Sequence, residues 1–162
     1  MVSLGFDAAL YRLTTGTRAT WGAADSSGIH GGAAPANLSE ITNVTGDCTL
    51  NADSTDVDTS TRASDWKLAA QGMHEGSYEF TMIDDSTDAD LAAIKAAHFL
   101  RKSIAIAILD DEKTVIGADG LWADFAVIGF TRGEPLNDKL TIKVTIKPTR
   151  SAVAPEWVKI TS

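Results

Sequence analysis

The sequence has a single cysteine, Cys48, so no disulfide can form within the chain. A CxxC pair is also absent, which removes the usual redox motif and the common zinc motifs built on such pairs. Small secreted domains that depend on disulfides are therefore excluded. Folding in a reducing compartment such as the cytosol is the natural expectation.

Basic residues are in deficit. Lysine and arginine number 14 against 22 aspartates and glutamates, which gives a formal net charge of −8 and a pI near 4.7. A nucleic-acid binding surface needs clustered cations that displace counterions from the phosphates. The charge therefore argues against specific DNA or RNA binding, and equally against attraction to an anionic membrane surface.

Long apolar runs are missing as well. No stretch of the sequence approaches the roughly 20 apolar residues that a membrane helix needs. The first residues, Met1–Asp7, lack the basic region and apolar core of a signal peptide. We expect neither export nor membrane insertion from this chain.

Motifs for catalysis or metal binding are not found. The histidines His30, His74 and His98 lie far apart in the sequence, without partners at metal-ligand spacing. The segment 28–32 resembles a lipase oxyanion loop, but no G-x-S-x-G nucleophile motif accompanies it. A calcium loop counted from Asp84 would place Ala89 and Lys95 where glycine and glutamate are required. The sequence predicts no enzyme, no cofactor and no metal site.

The sequence does contain alternating apolar and polar residues, the pattern of β-strands. From Lys139 to Lys147 apolar and polar residues alternate strictly, with Leu140, Ile142, Val144 and Ile146 on one face. A period of two predicts a strand with one buried and one solvated face, ending at Pro148. Apolar residues on both faces of 121–131 predict a more buried neighbouring strand. A turn containing Gly133, Pro135, Asn137 and Asp138 would join the two.

Further strands are predicted over 6–13, 39–50, 66–70, 76–83 and 104–109, the last buried on both faces. One helix is predicted over about 88–101, with Thr87 as N-cap and Asp90 completing an acidic capping box. The fold class is therefore mainly β: a β-sandwich or β-barrel of two packed sheets with one flanking α-helix.

The whole chain, 1–162, is predicted to be a single domain carrying three long excursions. The first is a Gly-, Ala-, Ser- and Thr-rich arm over about 14–38, either ordered against another surface or mobile. The second is a polar loop over about 51–65, and the third is an extended C-terminal tail over about 149–162. Connections of this length are often functional.

Several short motifs, in order and spacing, resemble the major tail tube proteins of long, non-contractile phage tails. The resemblance covers about residues 40–160 and rests on the following segments: 56–62 with Trp66, 72–82, the acidic opening and helix from Asp84, 104–110, 120–125, 130–136, 145–149 and 155–157. No segment is specific alone. The arm before residue 38 matches nothing in this family.

The resemblance implies a β-sandwich or β-barrel with one helix, shared with the inner tubes of contractile tails and the type VI secretion tube. It implies hexameric rings that stack into a hollow tube in the virion tail, assembled in the bacterial host cytoplasm. The partners implied are further copies of this chain, the tape measure, the tail terminator and baseplate or initiator proteins. DNA would pass through without specific binding.

Under this resemblance the excursions make the contacts between subunits. The candidate contact residues are Trp21 in the arm, Asp56, Asp58, Arg62 and Trp66 in or beside the polar loop, and Glu156 and Trp157 in the tail. Arg62 is the one cation of the polar loop, so we expect it to pair with a carboxylate of another subunit.

Two other interpretations stay open at this stage. A non-enzymatic β-sandwich binding module for glycans or surface attachment would use the tryptophans Trp21, Trp66, Trp122 and Trp157 as stacking platforms. A weaker alternative is an acid-catalysed hydrolase, although nothing in the sequence selects a pair of carboxylates.

Overall fold

The computed structural model describes residues 8–62 and 66–162, and most of its regular structure is β-strand. The strands, numbered in chain order with one helix between the fifth and the sixth, are β1 Ala9–Leu13, β2 His30–Gly32, β3 Leu38–Glu40, β4 Val44–Asp58, β5 Ala69–Ile83, α1 Ala89–Phe99, β6 Ile104–Leu109, β7 Asp119–Gly133, β8 Thr141–Pro148 and β9 Glu156–Ile160. The predicted mainly β class with one flanking helix is confirmed over this part of the chain.

Strand β7 joins the two halves of the fold. Its first half pairs with β6 on one edge, over 120–125, and with β9 on the other, over 119–122. Its second half, 125–133, pairs with β8, with an irregularity between Val127 and Gly129. The strand order through the sheet is β3-β1-β6-β7-β8-β5-β4, and every described pairing is antiparallel except that of β2 with β9.

Two clusters of buried side chains lie on the two faces of β6. Ile106 packs with Val144 of the other half of the sheet and with Ile94 of the helix. On the opposite face, Ala107 packs with Trp122 and with side chains of β9 and the N-terminal arm. The prediction that this strand is buried on both faces is confirmed, and alternate side chains from one strand supply both clusters.

The predicted hairpin of 121–131 and 139–147 is present as β7 and β8. Ile142, Val144 and Ile146 have no solvent exposure, whereas Lys143 on the other face is exposed. The strand ends at Pro148, as expected for a residue without a backbone N–H.

The helix differs from the prediction at its ends. It spans Ala89–Phe99, and the N-cap is Asp88, whose carboxylate accepts a 2.9 Å hydrogen bond from the Asp90 N–H. The predicted N-cap, Thr87, is wrong because its N–H and hydroxyl both donate to Asp85. Asp85 accepts the hydrogen bonds of Thr87 in a turn before the helix, and Asp88 caps the helix instead. The N-cap therefore lies one residue later than predicted.

The prediction of an irregular polar loop over 51–65 is also wrong for most of that segment. Residues up to Asp58 continue β4 and pair with β5, which begins at Ala69 rather than at Trp66. The partner strand satisfies the backbone hydrogen bonds, so strand formation here needs no buried face. Residues 63–65 of the predicted loop lie outside the described residues, as do residues 6 and 7 of the first predicted strand.

The other two excursions are ordered on the body. The arm contains β2, and its end enters β3, so the ordered one of its two predicted alternatives holds. The tail contains β9, which inserts between β7 and β2.

A substitution at Gly120 tests how closely the backbones of β6 and β7 approach each other. A Cβ at this position would lie 1.8 Å from the Ile108 carbonyl oxygen, a clash with backbone that no rotamer change relieves. We expect Gly120→Ala to lower the free energy of unfolding by about 3 kcal/mol, the upper range for overpacked sites. The measurement is urea denaturation followed by circular dichroism.

Gly76→Ala is the matched control for this substitution. Its Cβ would meet its nearest neighbour, the Asn51 carbonyl oxygen, at an ordinary 3.5 Å. An equal loss of stability in the two variants would contradict the close β6–β7 contact.

Candidate functional site

The most prominent surface feature is the outer part of the β4–β5 pair. Strand β5 pairs with β8 only from Tyr78 to Ile83, whereas from 69 to 77 the described pairings are with β4 alone. We call residues 51–58 and 66–77 the projecting hairpin. At the usual strand rise, its length beyond the end of β8 is about 30 Å.

The projecting hairpin exposes large apolar side chains. Trp66 is 78% and Met73 85% exposed, and Val57 and Leu68 are each about half exposed. A cluster of such residues on a soluble subunit is typical of a surface that contacts another molecule. Trp66 was predicted as a contact residue, and the structure leaves it accessible for that role.

Acidic side chains accompany them. Asp56 and Asp58 are exposed and, being two residues apart in one strand, point to the same face. Hydrogen bonds from the Ser60 hydroxyl and N–H lower the pKa of the Asp58 carboxyl. Within 8–62 and 66–162, no salt bridge engages Asp56, Asp58 or the exposed Arg62. Their predicted contacts with other subunits stay predictions.

The lysine face of β8 is different, because its charges are paired within the chain. Lys143 lies 3.1 Å from Glu79, and Lys147 lies 3.2 Å from Glu75. Both pairs bridge adjacent strands at the surface, where such pairs stabilise by about 1 kcal/mol or less. The base of the projecting hairpin is thus tied to β8 by its own lysines.

Trp21 and Glu156, two further predicted contact residues, are buried inside the chain. The backbone N–H of Trp21 donates a 3.0 Å hydrogen bond to Glu156 Oε2, and His30 Nδ1 lies 3.9 Å from the same oxygen. The Trp21 ring meets Trp122 edge to face at 5.6 Å. The contacts described for both residues join the arm to the tail of one chain, and contact with another subunit remains an untested prediction for them.

Arg18 is the residue that the sequence did not single out. Its side chain is buried, and its guanidinium binds Asp124 at 3.0 Å and the carbonyl oxygens of Val153 and Ala154. It therefore holds the arm, β7 and the start of the tail together. The available signal was that Arg18 is the single arginine of the arm over 14–38, which is rich in small residues.

Trp157 is 38% exposed, and its side chain contacts another residue of the same chain. Its side chain hydrogen bonds to the Asp119 carboxylate, and since an indole only donates, the carboxylate is the acceptor. Burial and the neighbouring Asp110 nevertheless raise the pKa of Asp119. Part of the ring stays accessible for the predicted contact with another subunit.

The tryptophans do not form a common glycan platform. Trp122 is fully buried and Trp21 is nearly so, which leaves Trp66 and Trp157 as the exposed members. These two belong to different elements, the projecting hairpin and β9. The binding-module interpretation loses half of the aromatic surface on which it depended.

Among residues 8–62 and 66–162, no group of three or more His, Cys, Asp or Glu side chains is arranged to hold a metal ion. In the same part of the chain, no helix has the length and apolarity to cross a bilayer.

Comparison with solved structures identifies the fold. A chain in the virion of a native gene transfer agent (GTA) particle matches with a TM-score of 0.64 at 12% identity, over 96% of this chain and 98% of that one. A chain of the SPP1 tail tube, from solid-state NMR and cryo-EM, matches with a TM-score of 0.65 at 12% identity, over 99% and 81%. The chain has the fold of a phage tail tube protein.

A third match to this tail tube fold comes from the tail of an empty GTA particle, determined with C6 symmetry. Its TM-score is 0.58 at 12% identity, over 93% of this chain and 96% of that one. No protein-family model and no curated protein sequence matches the chain. The resemblance seen in the sequence is thus confirmed at the level of the fold, by structure rather than by sequence similarity.

Arg18→Ala tests the buried contacts of the Arg18 guanidinium with Asp124 and with the start of the tail. It leaves Asp124 and two carbonyl oxygens without their donor, and we expect a loss of about 3 kcal/mol in the free energy of unfolding, as for other broken buried pairs. Limited proteolysis should then cut the arm first.

Arg132→Ala is the control, since Arg132 is half exposed and pairs at the surface with Asp84 and Glu134. We expect it to cost less than about 1 kcal/mol. Equal costs for the two arginines in urea denaturation would show that the Arg18 contacts do not anchor the arm.

Proposed function

We propose that this protein is a structural, non-catalytic subunit of a phage-type tail tube that requires no cofactor. The observation that carries the proposal is the likeness of fold along nearly the whole chain, 96% of it against 98% of the GTA virion chain. The projecting hairpin, with its exposed apolar and acidic residues, supports the same function because it is a feature suited to contact between subunits.

The subunits form rings that stack around a channel, and we propose six subunits in each ring. The C6 symmetry of a similar GTA tail supports this number. A contact between two different surfaces of identical subunits closes into a ring when its rotation divides a full turn. The projecting hairpin then reaches from one ring toward the next.

The proposed place of action is the virion tail, after assembly in the cytoplasm of the bacterial host. The partners are other copies of this chain, then the tape measure, the tail terminator and baseplate or initiator proteins. DNA passes through the channel without specific binding. The net charge of −8 supports this, because an acidic wall repels phosphates over about 8–10 Å at physiological salt.

A variant without the projecting hairpin tests the tube function. Asn51 and Ser77 face each other across the β4–β5 ladder, so residues 52–76 can be replaced by the two-residue turn Asn-Gly. The β5–β8 pairing from Tyr78 onward remains, and we expect a folded monomer. Negative-stain microscopy of concentrated protein should show rings or tubes for the parent chain and none for the variant.

The outcome that contradicts the function is a parent chain that stays monomeric at high concentration and is retained by a glycan array. That result would favour the binding-module alternative. Loss of the far-ultraviolet β spectrum in the shortened variant would require a repeat with a longer turn before its assembly is scored.

Arg62→Ala tests the predicted pairing of Arg62 with a carboxylate of another subunit. We expect fewer and shorter tubes at equal protein concentration, with Arg62→Lys restoring most of the length because it keeps the charge. Arg62 is exposed, so neither substitution should alter the melting temperature. Tube lengths that are unchanged in Arg62→Ala would remove Arg62 from the interface.

A further inference from the structure

Three exposed cations surround a groove at the end of the helix. Arg101 and Lys102 follow α1, and Arg150 follows β8. They line a groove of about 510 Å³ together with Ala97, His98, Ser103, Ala126, Val127 and Thr149. We call this the basic groove. It is a concentration of positive charge on a chain whose net charge is −8.

The cations of the basic groove lack acidic partners. Across 8–62 and 66–162, no carboxylate forms a salt bridge with Arg101, Lys102 or Arg150. By contrast, Arg12, Lys95 and Lys143 each lie within 3.2 Å of an acid of their own chain. The groove therefore presents positive charge that the fold itself does not neutralise.

The backbone fixes where these cations stand. The Lys102 N–H donates to the Ala97 carbonyl oxygen at 3.0 Å, which closes the end of the helix, and Arg101 adopts a left-handed conformation with φ of 54°. The Thr149 N–H donates to the Asp124 carbonyl oxygen at 2.9 Å and so holds the segment carrying Arg150. The three charges are arranged on ordered backbone.

Apolar side chains adjoin the groove along the chain. Phe99 and Leu100, immediately before Arg101, are 71% and 62% exposed, and Ile128, next to Val127, is also exposed. The Phe99 ring packs edge to face on Phe130 at 6.0 Å and does not fold away from solvent. Exposed aromatic and apolar side chains beside arginine match the composition of protein interfaces, in which aromatic residues and Arg are enriched.

The projecting hairpin carries the complement of this surface. It displays Asp56 and Asp58 on one face, without cationic partners among the described residues, and exposes Trp66 and Met73. We propose that the basic groove receives the projecting hairpin of a second copy of this chain. This assignment rests on the proposed tube function and names the surface on which the hairpin docks.

Charge complementarity favours this contact over other approaches of two copies. Two copies of an acidic protein repel each other over most approaches, and complementary patches select the one orientation in which they attract. Hairpin and groove are different surfaces, so the contact is heterologous and repeats from subunit to subunit. A polyanion such as DNA is the competing occupant, and the field of the whole chain opposes it.

Charge exchange tests the pairing. One variant reverses the groove (Lys102→Glu with Arg150→Glu), and another reverses the hairpin (Asp56→Lys with Asp58→Lys). Each alone places like charges together, and we expect its critical concentration for assembly to rise about tenfold. Mixed in equal amounts, each variant's hairpin meets an oppositely charged groove, and assembly should return to within about threefold of the parent chain.

The matched control reverses two other exposed lysines, Lys139→Glu with Lys159→Glu, and should assemble like the parent chain. Thermal melting of every variant checks that the fold is intact. Assembly is measured by sedimentation and negative-stain microscopy at about 0.1 M salt, where the Debye length is about 10 Å.

The other possible outcomes distinguish an error in the docking surface from an error in the tube function. If the parent chain forms tubes and the groove variant forms them equally well, the docking surface is wrong while the tube function stands. A mixture that does not recover also overturns the pairing. Binding of a short DNA duplex that the groove variant loses, with tubes unaffected, would assign the groove to a polyanion. A parent chain that stays monomeric and is retained by a glycan array overturns both proposals.

Discussion

The fold depends on the pairing of β7 along both of its edges. Its first half lies between β6 and β9, and its second half pairs with β8. Trp122, Ala123 and Phe125, consecutive or nearly so, are fully buried and point alternately into the two side-chain clusters. Because one strand supplies hydrogen bonds and packing to both halves, the helix, the arm and the tail all take their positions from it.

The charges of the chain divide into those used internally and those left available. Arg18 and Glu156 are buried and join the arm to the tail, while Lys143 and Lys147 tie the hairpin base to β8. Among the described residues, the charges without a salt bridge include Asp56 and Asp58 on the projecting hairpin and, with opposite sign, Arg101, Lys102 and Arg150 at the basic groove. The proposed assembly would use those groups without breaking contacts that hold the subunit together.

The sequence predicted what local periodicity determines. Alternation identified β8 with its buried face, and the apolar run 104–109 identified a strand buried on both faces. It missed β4 beyond residue 50, because a strand exposed on both faces carries no hydrophobic pattern and is held by its partner's hydrogen bonds. The Arg18 contacts were equally hidden, since they join residues more than 100 positions apart.

The projecting hairpin gains little stability from contacts within its own subunit. An isolated two-stranded pair in water is marginally stable, and beyond β8 this pair is exposed and contributes little to either side-chain cluster. At Asp53 and Glu75 two acids even face each other across the ladder, an arrangement that opposes pairing. A long, acidic hairpin that exposes Trp66 and Met73 would gain stability from a neighbouring subunit, because ordering it alone gains little. The physical cost of the hairpin to the monomer is therefore itself an argument for the assembly.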